Sequence, residues 1–91
     1  MRVTEVEPLP DRRLRVRFRD GLEGIVDVRP LIRLGGVFAP LADDALFRQV
    51  WVDAEARTVT WPNGADIAPD VMHEIVAKQV SSPAALGAAV A

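Results

Sequence analysis

The chain has 91 residues, a formal net charge of −2 at pH 7 and no cysteine. That length gives one small domain with a thin core and leaves no room for a second domain, a deep cofactor crevice or a repeat array. The missing cysteines exclude a disulfide scaffold and a thiolate metal site, and the acidic balance speaks against binding nucleic acid through bulk charge.

Hydrophobic residues make up 49% and charged residues 26%, a balance that fits a folded soluble domain rather than a disordered one. Met1–Glu7 carries acidic residues and no apolar run, so no signal peptide is expected. The longest charge-free stretch, Gln79–Ala91, falls short of the ~20 apolar residues a membrane span needs. The expected location is the reducing cytoplasm.

Val3–Glu7 reads as a short strand stopped by Pro8-Leu9-Pro10. In the next segment Leu14, Val16 and Phe18 alternate with Arg13, Arg15, Arg17 and Arg19, the period of a strand with one dry and one wet face. Asp20-Gly21 turns the chain, and Leu22–Val28 returns. A two-residue loop would set Phe18 against Glu23 and Leu14 against Asp27, apolar against charged. A three-residue loop, Arg19-Asp20-Gly21, with Gly21 at positive φ, sets Phe18 against Leu22 and Leu14 against Val26. It also sets Arg17 against Glu23 and Arg13 against Asp27, so both faces agree and this register is the expected one. With the first strand alongside, Glu5 and Glu7 join the arginine face, completing a three-stranded meander that ends near Arg29-Pro30.

Leu31–Pro40, broken by Gly35-Gly36, reads as a helical turn followed by a loop. Asp43–Gln49 reads as a short helix with its acidic start and with Leu46 and Phe47 facing inward. Val50-Trp51-Val52 and Thr58–Trp61 form a second hairpin joined through Asp53–Arg57. Pro69 suits the first position of a last helix, where its missing N–H costs nothing. Val71, Met72, Ile75 and Val76 give that helix an apolar stripe expected to close over the sheet. Ser81-Ser82-Pro83 should end it. The expected architecture is α+β: a small antiparallel sheet plus a second hairpin, with a short middle helix and a C-terminal helix. Residues 1–80 form the domain and residues 81–91 an Ala-rich flexible tail.

Few residues offer chemistry. Five of the ten arginines lie between Arg12 and Arg19. Arg13, Arg15, Arg17 and Arg19 on one ribbon face could track a phosphate backbone, whereas Glu5, Glu7, Glu23 and Asp27 on the same face would neutralise them. His73, the only histidine, shares a helix face with Asp70 and Glu74, and Asp66 could approach. Carboxylates with one imidazole make a weakly specific site, so no metal or cofactor is expected. The only serines, Ser81 and Ser82, lie beside a proline near the tail, which gives no nucleophile held against a base. In Trp61-Pro62-Asn63-Gly64-Ala65-Asp66, Asn63-Gly64 supplies a tight reversal and Asp66 can accept loop N–H groups. This corner reads as structural, with Trp61, Asn63 and Asp66 as the candidate partner-binding residues.

Val6-Glu7-Pro8-Leu9-Pro10, Phe18-Arg19-Asp20-Gly21, Gly36-Val37-Phe38-Ala39-Pro40-Leu41 and above all Trp61-Pro62-Asn63-Gly64-Ala65-Asp66 resemble the bacterial domain of unknown function 2442 family, over Met1 to about Val76. The resemblance implies a small α+β domain without established catalytic residues. It also implies a gene neighbour, domain of unknown function 4160, with which such chains have been proposed to form a toxin–antitoxin-like pair. One position departs: the family commonly has a glycine before Thr58, where this chain has Arg57. A positive φ there would strain Arg57 by roughly 1 kcal/mol.

Together these readings point to a non-enzymatic protein-binding module, the antitoxin-like half of a two-protein system, that docks through the Trp61–Asp66 corner or an exposed sheet edge. Self-association through such an edge is also expected. The alternative is a nucleic-acid-binding or autoregulatory domain using Arg12–Arg19.

Overall fold

The computed structural model describes residues 2–81. It contains a three-stranded antiparallel sheet, β1 (Val3–Leu9), β2 (Arg13–Phe18) and β3 (Glu23–Asp27), in the order β1-β2-β3. Next come α1 (Arg29–Leu34), a 3₁₀ segment over Gly36–Ala42, and α2 (Asp44–Phe47). A separate hairpin pairs β4 (Trp51–Asp53) with β5 (Thr58–Thr60), and α3 (Pro69–Ser81) closes the fold. This is the α+β architecture anticipated. Of the expected tail, Ser81 is the last residue of α3, and 82–91 lie outside the described residues.

The β2–β3 register is set by its loop. Gly21 adopts φ 89°, its N–H donates to the Phe18 carbonyl at 2.9 Å, and the Phe18 N–H donates to the Leu22 carbonyl at 2.8 Å. Arg17 therefore faces Glu23, Leu14 faces Val26 and Arg13 faces Asp27, as the three-residue loop requires. On the other side Glu5 faces Arg17 and Glu7 faces Arg15. Leu14, Val16, Phe18, Val26 and Val28 are buried on the dry face.

β1 runs two residues beyond its expected stop, through Pro8 to Leu9. Pro8 faces Leu14, whose main-chain groups turn toward β3 in the alternation set by Phe18–Leu22 and Val28–Arg12, so the missing proline N–H breaks no bond to β2. The β1–β2 connection then uses two residues in left-handed conformation, Asp11 (φ 63°) and Arg12 (φ 57°). Arg12 is anchored there: its Nη2 and Nε donate to the Ala42 carbonyl at 2.6 and 3.1 Å, and its Nη1 donates to Asp44 Oδ1 at 3.1 Å. α2 is shorter than expected, but its Asp43 cap accepts the Ala45 N–H at 3.1 Å and Phe47 is buried.

α3 is rotated relative to the expected stripe. Met72 and Val76 are buried, whereas Val71 is 51% and Ile75 38% exposed. The inward line runs through Met72, His73 and Val76 instead, at the 3–4-residue spacing of a single helix face. The reason lies at Gly24 on β3. A Cβ built there would stand 2.6 Å from Val76 Cγ1 and 2.9 Å from Gln79 Oε1. The absent side chain lets helix and sheet touch, and that contact fixes which face turns inward. Gln79 then accepts the Ile25 N–H at 3.1 Å and donates to the Ile25 carbonyl. The expected open sheet edge is thus occupied at Ile25. At β1 the Val3 N–H donates to the Arg57 carbonyl at 3.1 Å.

Gly24→Ala should lower stability by about 1–3 kcal/mol through this overpacking, read as a lower urea midpoint with an unchanged slope. A variant as stable as the parent would mean that α3 does not meet β3 at this point.

Candidate functional site

The wet face of the sheet carries the arginine ladder. Arg15, Arg17, Glu5, Glu7 and Glu23 line a shallow depression of about 390 Å³ on it. Across the three strands the carboxylates of Glu5, Glu7, Glu23 and Asp27 outnumber the guanidinium groups of Arg13, Arg15 and Arg17. One cross-strand ion pair closes on this face among the described residues, Arg15 with Glu7. Asp27 turns instead to Arg29, which donates to it through Nε and Nη2 at 3.0 and 2.8 Å. Arg13 donates to the Pro10 carbonyl at 3.3 Å. Charges opposed in register thus neutralise the face mostly as neighbours rather than as pairs in contact. Arg19 leaves the ladder altogether and lines a cleft with Arg2, Asp20 and Arg57.

The Trp61–Asp66 corner divides between core and surface. Trp61 is 1% exposed, and its Nε1–H donates to the Phe47 carbonyl at 2.9 Å. Its ring lies 6.0 Å from that of Phe47. Trp61 is therefore a core residue and presents no surface to a partner, because its large ring fills the space between α2 and the second hairpin. Asn63 donates to the Val37 carbonyl at 2.8 Å and accepts the Ala65 N–H at 3.2 Å, which ties the corner to the 3₁₀ segment. Asp66 pairs through its backbone with Thr60, and its side chain is exposed.

His73 turns toward the β2–β3 loop. Its Nε2 lies 2.8 Å from Asp20 Oδ2, and its ring meets Phe18 edge-on at 4.8 Å. Asp70, Glu74 and Asp66 do not gather around it, and no group of three His, Asp or Glu able to hold a metal occurs among the described residues.

The rotation of α3 opens a further feature. Val71 and Ile75 face an apolar groove of about 350 Å³ with Pro30, Leu31, Phe38 and Ile67, rimmed by Asp27 and Asp66. Its walls come from α1, the 3₁₀ segment, the corner and α3, elements far apart in sequence. The signal for it was already in α3: Val71 and Ile75 form a second apolar column beside Met72 and Val76, more than one packed face needs.

A family profile described as "Protein of unknown function (DUF2442)" matches residues 3–76, from β1 to Val76 of α3. The chain belongs to the DUF2442 family. No curated protein and no solved structure gives a significant match. In this DUF2442 domain the matched region contains the ladder, the corner and every wall of the groove, but not Arg2 or Gln79. No helix among the described residues is long and apolar enough to cross a membrane.

Three carboxyls are held below their ordinary value of 3.8: Asp20 by the Leu22 N–H and then His73, Asp27 by Arg29, and Asp44 by Arg48. A carboxyl whose folded value lies below its unfolded one contributes stability above the unfolded value and loses it as pH falls through the folded one. The urea midpoint of the domain should therefore hold steady at mildly acidic pH and fall as pH drops below 3.8, less steeply in Asp27→Asn. A midpoint that stays level or rises below that pH would contradict these assignments.

Proposed function

We propose that this DUF2442 domain is a non-catalytic protein-binding module, and that the groove between α1, the 3₁₀ segment and α3 is its docking surface. The observation that carries the reading is the pair Val71 and Ile75, 51% and 38% exposed on a helix that buries Met72 and Val76. Side chains of this kind lining one concave apolar surface favour an interaction site over a solvated helix face. Asp27 and Asp66 on the rim suit a partner segment that is apolar with a basic flank. The candidate corner enters the reading through Asp66, while Trp61 holds the corner's shape from the core and Asn63 ties it to the 3₁₀ segment at the surface.

The family resemblance extends this reading to the antitoxin-like half of a bacterial two-protein system working in the cytoplasm. The nucleic-acid alternative draws less support, because its Arg13, Arg15 and Arg17 share their face with a larger number of carboxylates.

The test is native purification of the tagged full chain from its source cells, beside Val71→Asp/Ile75→Asp and Arg15→Glu/Arg17→Glu. A stoichiometric protein partner should accompany the parent and the arginine variant. It should be lost from the groove variant, whose circular dichroism should match the parent because both substituted residues are partly exposed. A partner retained by the groove variant, or no stoichiometric partner at all, would overturn the proposal.

A further inference from the structure

We propose that Arg2, Arg19 and Arg57 form a binding cleft for a small phosphate-bearing ligand, separate from the apolar groove. The three residues come from three distant stretches: the residue before β1, the β2–β3 loop and the β4–β5 loop. Main-chain bonds lock these stretches together. The Arg19 N–H donates to the Arg2 carbonyl at 2.9 Å, and the Val3 N–H donates to the Arg57 carbonyl at 3.1 Å. The three guanidinium stems therefore start from fixed points around one open cleft of about 430 Å³, whose remaining wall is Asp20. That volume lies in the range of small-molecule sites.

None of the three has a carboxylate within ion-pair distance among the described residues, which they share with Arg17 and Arg33, whereas Arg12, Arg13, Arg15, Arg29 and Arg48 each do. Asp20 is already engaged: Oδ1 accepts the Leu22 N–H at 3.0 Å and Oδ2 meets His73 Nε2 at 2.8 Å. Asp53, beside Arg2 and Arg57, accepts the Glu55 N–H at 2.8 Å. The carboxylates of Asp20 and Asp53 offset part of the charge of the three guanidinium groups, and the positive excess that remains favours an anion in the cleft. The planar guanidinium fork matches phosphate oxygens two at a time.

Arg57 adds an independent observation. Its φ of 62° is a conformation that glycine adopts freely and that strains a residue carrying a Cβ. The turn itself needs only the bond from the Arg57 N–H to the Asp53 carbonyl at 2.7 Å, which glycine would make equally well. Strain retained where a simpler residue would serve points to a use for the side chain. The neighbouring sheet face offers no continuous positive track, so the ligand is compact rather than a long nucleic-acid strand.

Isothermal titration calorimetry of the full chain with sodium orthophosphate and sodium pyrophosphate, at moderate salt, tests this. At least one of the two should bind saturably at one site. Arg19→Gln/Arg57→Gly should weaken binding ten-fold or more, and because glycine relieves the strained φ, unfolding would not explain the loss. Arg15→Gln/Arg17→Gln should stay within two-fold of the parent. A matching titration with a 20-residue single-stranded oligonucleotide separates a small ligand from a strand. The proposal fails if neither phosphate binds saturably, if both variants lose binding alike, or if the oligonucleotide alone binds.

Discussion

A single positive φ at Gly21 governs the sheet on which everything else is built. With the three-residue loop it closes, Leu14 and Val16 of β2 meet Val26 and Gly24 of β3, Phe18 bonds to Leu22 just before β3, and every arginine of β2 meets a carboxylate or Ile25. Shifting the pairing by one residue would exchange the two faces. The two faces contribute unequally. Burial of each large apolar side chain on the dry face contributes roughly 1.5–3 kcal/mol, while an exposed ion pair contributes about 0–1 kcal/mol. The apolar face therefore holds the sheet together, and the charged face mainly makes the alternative pairings worse.

The next consequence falls on α3. Gly24 leaves a gap that Val76 enters, and Gln79 then covers the main-chain groups of Ile25 on the outer strand. Burying Met72 and Val76 in this way turns Val71 and Ile75 outward. Trp61, bonded to the Phe47 carbonyl, fastens the second hairpin to α2, and Asn63 fastens the corner to the 3₁₀ segment. Groove and basic cleft are both products of packing between distant segments, and they lie on different elements.

What could be read from the residues followed from local rules. The β2–β3 register was legible because a side-chain period of two and an Asp-Gly turn are short-range signals, and only one loop length satisfied both faces. The acidic start of α2 and Pro69 at the head of α3 were legible for the same reason. The rotation of α3 was not, because four apolar residues in two adjacent columns allow two facings and a glycine some fifty residues earlier chooses between them. Nor was the burial of Trp61, whose acceptor belongs to α2. The left-handed Arg12 was invisible too, since it is held by a carbonyl thirty residues away, whereas Asp11 is of a residue type that tolerates that conformation. Pro8 misled in the opposite direction, since a proline stops a strand only where its N–H is needed. For the candidate sites, the residue types at the corner were legible but their division between core and surface was not. Arg2 and Arg57 gave no local sign of sharing a cleft.

Carboxylates of its own sheet oppose the arginine ladder, and the proposals for the groove and the cleft rest on that balance. The most direct measurement is duplex-DNA binding by fluorescence anisotropy across a salt series, for the parent, for Arg15→Gln/Arg17→Gln, and for Glu5→Gln/Glu7→Gln/Glu23→Gln. The parent and the arginine variant should give the same weak binding and the same salt slope. The glutamine-for-glutamate variant should bind more tightly, with a slope steeper by about two counterions. A parent whose binding is already steeply salt-dependent, and loses that dependence when Arg15 and Arg17 are replaced, would contradict the account.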